Sequence, residues 1–244
     1  MQIHIRSAAA KAAFLVLVTG VATQANAQTA VPAIAAPDAL KFAFNLAVGS
    51  DYVFRGVSQT EQEPAISGGL DASFGKAYVG AWASNVSFSG EGDTKAEIDI
   101  YGGIRPEVAG WALDLGVVGY FYANQPDGAD YSYAEVKVAA SRAVGPATVG
   151  AAVYYSPDFF GASEDQATYV EANAAFSPAD RWTISAAIGR QFVSSDFDYT
   201  TWNLGVARQL SDSLALDLRY HDTDEHDFGD ISGSRAVASL KATF

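Results

Sequence analysis

The lengths of the links between strand-like segments constrain this chain most. Twelve segments alternate apolar and polar residues with a period of two: 40–48, 65–74, 77–88, 95–104, 111–122, 131–141, 147–155, 168–176, 182–192, 200–209, 214–220 and 235–244. A period of two is the signature of a strand with one face buried in an apolar medium. No long amphipathic helix competes with this pattern. Links after even-numbered segments are short: Gly75-Lys76, 105–110, 142–146, 177–181 and 211–213. Links after odd-numbered segments tend to be longer and acidic. They hold Glu61 and Glu63, Glu91 and Asp93, Asp127 and Asp130, Asp158, Glu164 and Asp165, Asp196 and Asp198, and Asp222, Asp224, Glu225, Asp227 and Asp230. A soluble sandwich has no reason to sort its loops by length. A transmembrane barrel does, because short turns sit on the periplasmic side and long loops on the outside. An even segment count returns both ends of the barrel to one side.

The start of the chain agrees with export. Arg6 and Lys11 precede an apolar run over 12–21 that is too short to span a bilayer, and Ala25-Asn26-Ala27 has the small-x-small form of a cleavage site. The expected organisation is therefore a signal peptide over 1–27, a periplasmic tail over 28–39, and a barrel over 40–244. The chain has no cysteine, so no disulfide stabilises it. Beyond 12–21 no long apolar run remains. A membrane form of this chain must then satisfy its backbone as a closed barrel. With 15 Lys+Arg against 28 Asp+Glu and a net charge of −13, nucleic acid is excluded as a partner class. The predicted fold class is all-β: one antiparallel transmembrane barrel of about 12 strands, each about 10 residues long, the length a tilted strand needs to cross lipid.

Strand parity separates two faces. Ile98, Ile100 and Ile104 oppose Glu97 and Asp99; Val136 and Val138 oppose Glu135 and Lys137; Leu214, Leu216 and Leu218 oppose Asp217 and Arg219. A charge facing lipid costs about 2–4 kcal/mol at mid-membrane, so the charged face points inward. The expected pore lining is Asp71, Glu97, Asp99, Asp114, Glu135, Lys137, Glu171, Asp217 and Arg219, with Lys41, Arg235 and Lys241 on the same parity. A water-filled lumen lined this way would weakly prefer cations. The opposite reading is an internal ion-pair network that plugs the barrel. Twelve strands lie between small filled barrels and wide porins, so both readings stand. Arg55 is the one base in the first long link. It either reaches inward as a constriction or pairs within its loop with Asp51, with Ser58 and Gln59 as loop anchors. Trp111 and Trp182 open strands on the short-link side. Tyr120, Tyr122, Tyr131, Tyr133, Tyr154, Tyr155, Tyr199 and Tyr220 lie near the long-link side. Two interfacial aromatic girdles are the expectation.

The segment Ser50-Asp51-Tyr52-Val53-Phe54-Arg55-Gly56-Val57-Ser58-Gln59-Thr60 resembles the opening of the TorF-type porin family of proteobacteria, a family of otherwise unknown function. The likeness continues through Pro64-Ala65, Gly68 to Asp71, Tyr78 to Val86 and Glu97 to Gly103. Where that family usually has Gly-Phe-Tyr at a turn, this chain has Gly75-Lys76-Ala77-Tyr78. A strand ending in Phe244 also resembles the C-terminus of outer-membrane barrels, which marks Phe244 as an assembly signal. The resemblance implies a Gram-negative outer-membrane barrel that passes small hydrophilic solutes. Its partners would be outer-membrane lipids, lipopolysaccharide and the barrel-assembly machinery.

Catalytic chemistry finds little support. Past the signal the histidines are His221 and His226, both at the last long link, and no Gly-x-Ser-x-Gly setting surrounds a serine. No zinc set, phosphate loop or other cofactor motif is present, so neither an enzyme nor a cofactor is expected. The 221–230 link is rich in hard-cation ligands but lacks calcium-loop spacing. A solvated acidic loop is preferred there over a divalent bridge to lipopolysaccharide. The rival function is a non-conducting structural or ligand-binding barrel that acts through these acidic loops. An outer-membrane lipid hydrolase ranks below it.

Overall fold

A computed structural model describes residues 39–88, 94–161, 166–194 and 197–244. The expected signal peptide and most of the expected periplasmic tail lie outside the described residues. Twelve strands form the wall: β1 (Lys41–Gly49), β2 (Ala65–Phe74), β3 (Ala77–Asn85), β4 (Ala96–Ile104), β5 (Trp111–Ala123), β6 (Tyr133–Val144), β7 (Ala147–Ser156), β8 (Ala167–Ala179), β9 (Trp182–Phe192), β10 (Tyr199–Gln209), β11 (Leu214–Thr223) and β12 (Arg235–Thr243). Each pairs antiparallel with its neighbour in sequence. The sheet closes because β12 also pairs with β1, from Asn45 opposite Thr243 to Gly49 opposite Ser239. Phe244 completes the seam by exchanging backbone hydrogen bonds with Phe44, at 3.0 and 2.9 Å. Closure leaves no open edge, which a hydrocarbon environment requires. Among the described residues no helix is long and apolar enough to cross a membrane.

The two faces follow parity. Phe42, Phe44, Leu46, Val48, Ile66, Leu70, Val79, Ile100, Val136, Ile188 and Leu204 face outward and are exposed, Ile66 by 68 %. In water such a belt would be an aggregation surface; in lipid it is the solvated face. Polar side chains fill the inside, and glycines make room for the large ones. A Cβ at Gly80 would meet the Tyr101 ring, and one at Gly189 would meet Tyr169.

Three local differences from the sequence reading have physical causes. The third strand ends at Asn85 rather than Phe88, because the Ser87 amide bonds the Gln59 carbonyl (2.8 Å) instead of a neighbouring strand. The sixth begins at Tyr133 rather than Tyr131, since the Tyr131 amide is taken by Gln125 Oε1 (2.9 Å). The third difference is the largest. The loop-side tyrosines do not form a girdle: Tyr120, Tyr122, Tyr131, Tyr133 and Tyr199 are buried inside, and Tyr154 faces the interior with them. Only Tyr155 and Tyr220 of that set face outward. On the short-turn side Trp111 and Trp182 do face outward, and each lies beside an arginine, Arg142 and Arg208 respectively.

Candidate functional site

The site is built by the first long link, residues 50–64, which turns into the barrel. Val53-Phe54 and Val57-Ser58 pair as a small hairpin, with Phe54 opposite Val57. Its two-residue turn is Arg55-Gly56, with φ values of +47° and +86°. Positive φ at both central residues is the type I′ geometry, whose twist matches tight hairpins. It sets Arg55 at the tip. Gly56 is required twice over: by its φ, and because a Cβ there would strike Thr201 and Thr223.

From that tip the link reaches the wall all the way round. Asp51 Oδ2 accepts from Arg235 of β12 (3.2 Å). The Tyr52 hydroxyl donates to Glu97 Oε1 of β4 (2.7 Å), and its ring meets Trp82 of β3 edge-on at 5.3 Å. Phe54 packs against Tyr120 of β5 (5.8 Å). Arg55 makes a bidentate ion pair with Glu135 of β6, at 2.8 and 2.7 Å. It also donates to Gln191 Oε1 of β9 (3.0 Å). Its guanidinium carbon lies over the rings of Tyr154 of β7 (5.0 Å) and Tyr169 of β8 (4.4 Å). Gly56 abuts Thr201 of β10 and Thr223 of β11. The link that joins β1 to β2 therefore touches each of the other ten strands.

Internal bonds stiffen the link. Asp51 Oδ1 accepts from Ser58 (2.7 Å) and Thr60 (2.9 Å). Gln59 donates its amide to the Tyr52 carbonyl (2.6 Å), and its side chain bonds the Val57 carbonyl (3.1 Å). Arg55 thus goes to the barrel wall, and the alternative pairing with Asp51 is corrected: Asp51 serves Arg235, Ser58 and Thr60. The reason is reach. Asp51 stands at the root of the link, four residues before the turn that carries Arg55 inward.

Burial in this layer is nearly complete. Arg55 is 2 % exposed and Tyr52 1 %. Burial opposes the Arg55 charge, yet the Glu135 carboxylate beside it outweighs that cost and raises its pKa further. Burial first, and then the Glu97 and Asp99 carboxylates, hold the Tyr52 phenol well above its ordinary range, so it remains a donor. Glu97 Oε2, Asp99 Oδ1 and Gln191 Nε2 are buried here without a hydrogen-bond partner.

The other predicted interior charges stand on the inner face closer to the short turns. Asp114 accepts from Lys137 (2.8 Å), Tyr78 (2.7 Å) and Arg105 (3.3 Å). Asp71 accepts from Tyr101 (2.8 Å), and Glu171 from Tyr169 (3.1 Å) and Asn173 (3.0 Å). Arg219 donates to Asp217 (3.1 Å), Asn203 (2.6 Å) and Ser185 (2.9 Å). Lys41 and Lys241 share this parity and are half-buried. Tyr154, Tyr169 and Gln191 were missed as site residues. Their strand parity is inward, but nothing in the sequence connects them to Arg55, and Tyr154 was expected in a girdle instead.

In the last long link three of the acids hold local structure. Asp222 accepts from Tyr220 (2.8 Å) and lies 3.0 Å from His226 Nε2. Asp224 accepts the Thr200 amide (2.6 Å), and Glu225 that of Asp227 (3.0 Å). Among the described residues no group of three or more His, Cys, Asp or Glu is placed to hold a metal ion.

A bacterial family described as "Bacterial protein of unknown function (Gcw_chp)" matches residues 33–244. The chain belongs to this family. Its description carries neither the TorF name nor a pore. In sequence the chain has no significant match among curated proteins. In structure it is similar to the KdgM porin, with a TM-score of 0.58, 6 % identity, and coverage of 83 % of this chain and 99 % of that one. It is equally similar to the NanC porin, with a TM-score of 0.58, 12 % identity, and coverage of 82 % and 98 %. At such identities the likeness concerns the fold alone, a closed antiparallel barrel that this chain shares with these two porins.

Proposed function

We propose that this Gcw_chp protein is an outer-membrane channel for passive passage of small hydrophilic solutes, narrowed by residues 50–64, with Arg55 as its constriction. The observation that carries this reading is the contact of one inward-turned link with every other strand. A segment so placed governs whatever crosses the barrel. The porin fold and the resemblance of residues 50–60 to TorF-type porins support it. The belt of apolar residues on the wall supports residence in a Gram-negative outer membrane, surrounded by lipid and lipopolysaccharide.

Weak cation preference is part of the proposal. Glu97, Asp99, Glu135 and Asp51 are buried at the link, where Arg55 pairs with Glu135 and Arg235 with Asp51. Conductance of the purified protein in a planar bilayer under a salt gradient tests both claims. Small steps with a cation-directed reversal potential are expected. Replacing Glu97 by Gln and Asp99 by Asn should move the reversal potential toward zero; an unchanged value would remove these two residues from the conduction path.

A second reading has an observation of its own. The same link fills the layer so completely that a permanently plugged, structural or ligand-binding barrel is its natural alternative, and a folded, inserted, silent protein would select it. Phe244 is proposed as the assembly signal. Its deletion should lower the folded, heat-modifiable fraction in outer membranes severalfold, since the seam also loses the two bonds with Phe44; normal folded levels would contradict the role.

A further inference from the structure

The surroundings of Arg55 have the form of a binding site whose occupant is tethered. Take away the 50–64 link, and the wall still contributes the groups that recognise a guanidinium. Glu135 supplies both carboxylate oxygens to the planar fork, at 2.8 and 2.7 Å. The Tyr120 hydroxyl holds one of those oxygens at 3.1 Å, which orients the carboxylate. Gln191 supplies a carbonyl oxygen at 3.0 Å. Tyr154 and Tyr169 present ring faces to the guanidinium carbon. The five groups come from five successive strands, β5 to β9, so the rigid sheet positions them whether or not Arg55 is present. Bidentate carboxylate pairing joined to aromatic faces is the arrangement that distinguishes a guanidinium from a simple metal cation or an ammonium.

Arg55 leaves part of the site unused. Gln191 Nε2 is buried without a partner, so the box keeps one donor that a guanidinium by itself does not satisfy. Arg55 is the tip of a two-residue turn, and of the link's side chains only Phe54 adds a ring over its guanidinium (4.7 Å).

We infer that this box is a solute site for small guanidinium-bearing cations, and that Arg55 occupies it as a built-in stand-in which a free guanidinium solute displaces. This rests on the channel reading above and gives that channel a substrate class. A solute able to take the place of Arg55 frees the tip of the link and passes the layer that the link otherwise closes. Sodium or potassium, with no planar fork, does neither.

The test uses the full protein purified from outer membranes, with folding read by heat-modifiable migration. In Arg55→Ala the box is vacant. Potassium current through this variant should rise several-fold over wild type, and methylguanidinium should block it at concentrations lower than tetramethylammonium by roughly tenfold or more. Adding Glu135→Gln to Arg55→Ala should remove that preference. A variant that conducts but treats the two cations alike overturns the inference while leaving the channel intact. A folded Arg55→Ala barrel that stays silent overturns the channel reading instead. The site is then judged by whether methylguanidinium raises the barrel's melting temperature: a rise sustains it and no rise overturns it. Arg55→Lys provides the check should Arg55→Ala fail to fold. Its ammonium lacks the fork, so methylguanidinium should open this variant at concentrations that leave wild type closed; no effect on Arg55→Lys overturns the inference.

Discussion

The two ends of the lumen are built from the same residue types and behave differently. At the loop end, Arg55 and Glu135 meet with almost no solvent contact, their side chains 2 % and 1 % exposed. Toward the short turns, Lys137, Arg105 and Asp114 also form an ion-paired group, but the Asp114 side chain is 18 % exposed and that of Arg105 25 %. Asp217, paired with Arg219, keeps 24 %. One cluster is sealed by an inserted link and the other keeps partial contact with water. The same charges thus serve as a dry fastening in one place and as a wetted lining in the other. What separates them is the 50–64 link rather than the wall.

This contrast sets the expected size of each perturbation. Glu135→Ala should have the largest effect. It leaves a buried guanidinium without its carboxylate, which destabilises by about 3–5 kcal/mol, and it frees the tip of the link. Urea unfolding in lipid vesicles should show the loss, and bilayer recordings should show higher conductance. A wild-type urea midpoint would mean that the loop-end pair carries no stability.

Gly56→Val comes next. A branched side chain at φ +86° that also strikes Thr201 and Thr223 should cost about 2–3 kcal/mol. It should push the hairpin off β10 and β11 and raise conductance without touching any charge. Unchanged conductance would show that the hairpin's position does not govern the layer.

Asp114→Asn should be the mildest. Its cluster is partly wet, so solvent compensates and the loss should be about 1 kcal/mol. Urea unfolding measures this too. A cost equal to that of Glu135→Ala would abolish the distinction between the two ends.

The errors and successes of the sequence reading divide along the same line. Strand existence, closure order and the inward parity of Asp71, Glu97 and Glu135 were legible, because lipid on one side of a strand leaves little freedom in which residues face it. The tyrosines were misassigned although parity already spoke: Tyr120 and Tyr122 share the face of Asp114, and Tyr133 that of Glu135. Proximity to the loop end points to a girdle, and the period of two overrides it. The destination of Arg55 was harder. Within residues 50–64 Asp51 offers Arg55 a carboxylate, and the inward-facing acids of the wall offer others, so either an inward or a loop-bound arginine satisfies the sequence.

By itself, then, the sequence determined an antiparallel barrel of about twelve strands with an apolar outside, a charged inside, and short turns opposite long acidic links; the closed sheet fixed the count at twelve. These follow from a local period of two and from the cost of placing charge in hydrocarbon, and neither depends on distant contacts. Only the tertiary structure decided that the first link folds inward, that Arg55 takes Glu135 rather than Asp51, and that Tyr154, Tyr169 and Gln191 complete its surroundings. Those choices depend on strands up to 136 positions away in the chain. No local pattern encodes such distances, and the closed wall brings those residues within 3 to 5 Å of one guanidinium.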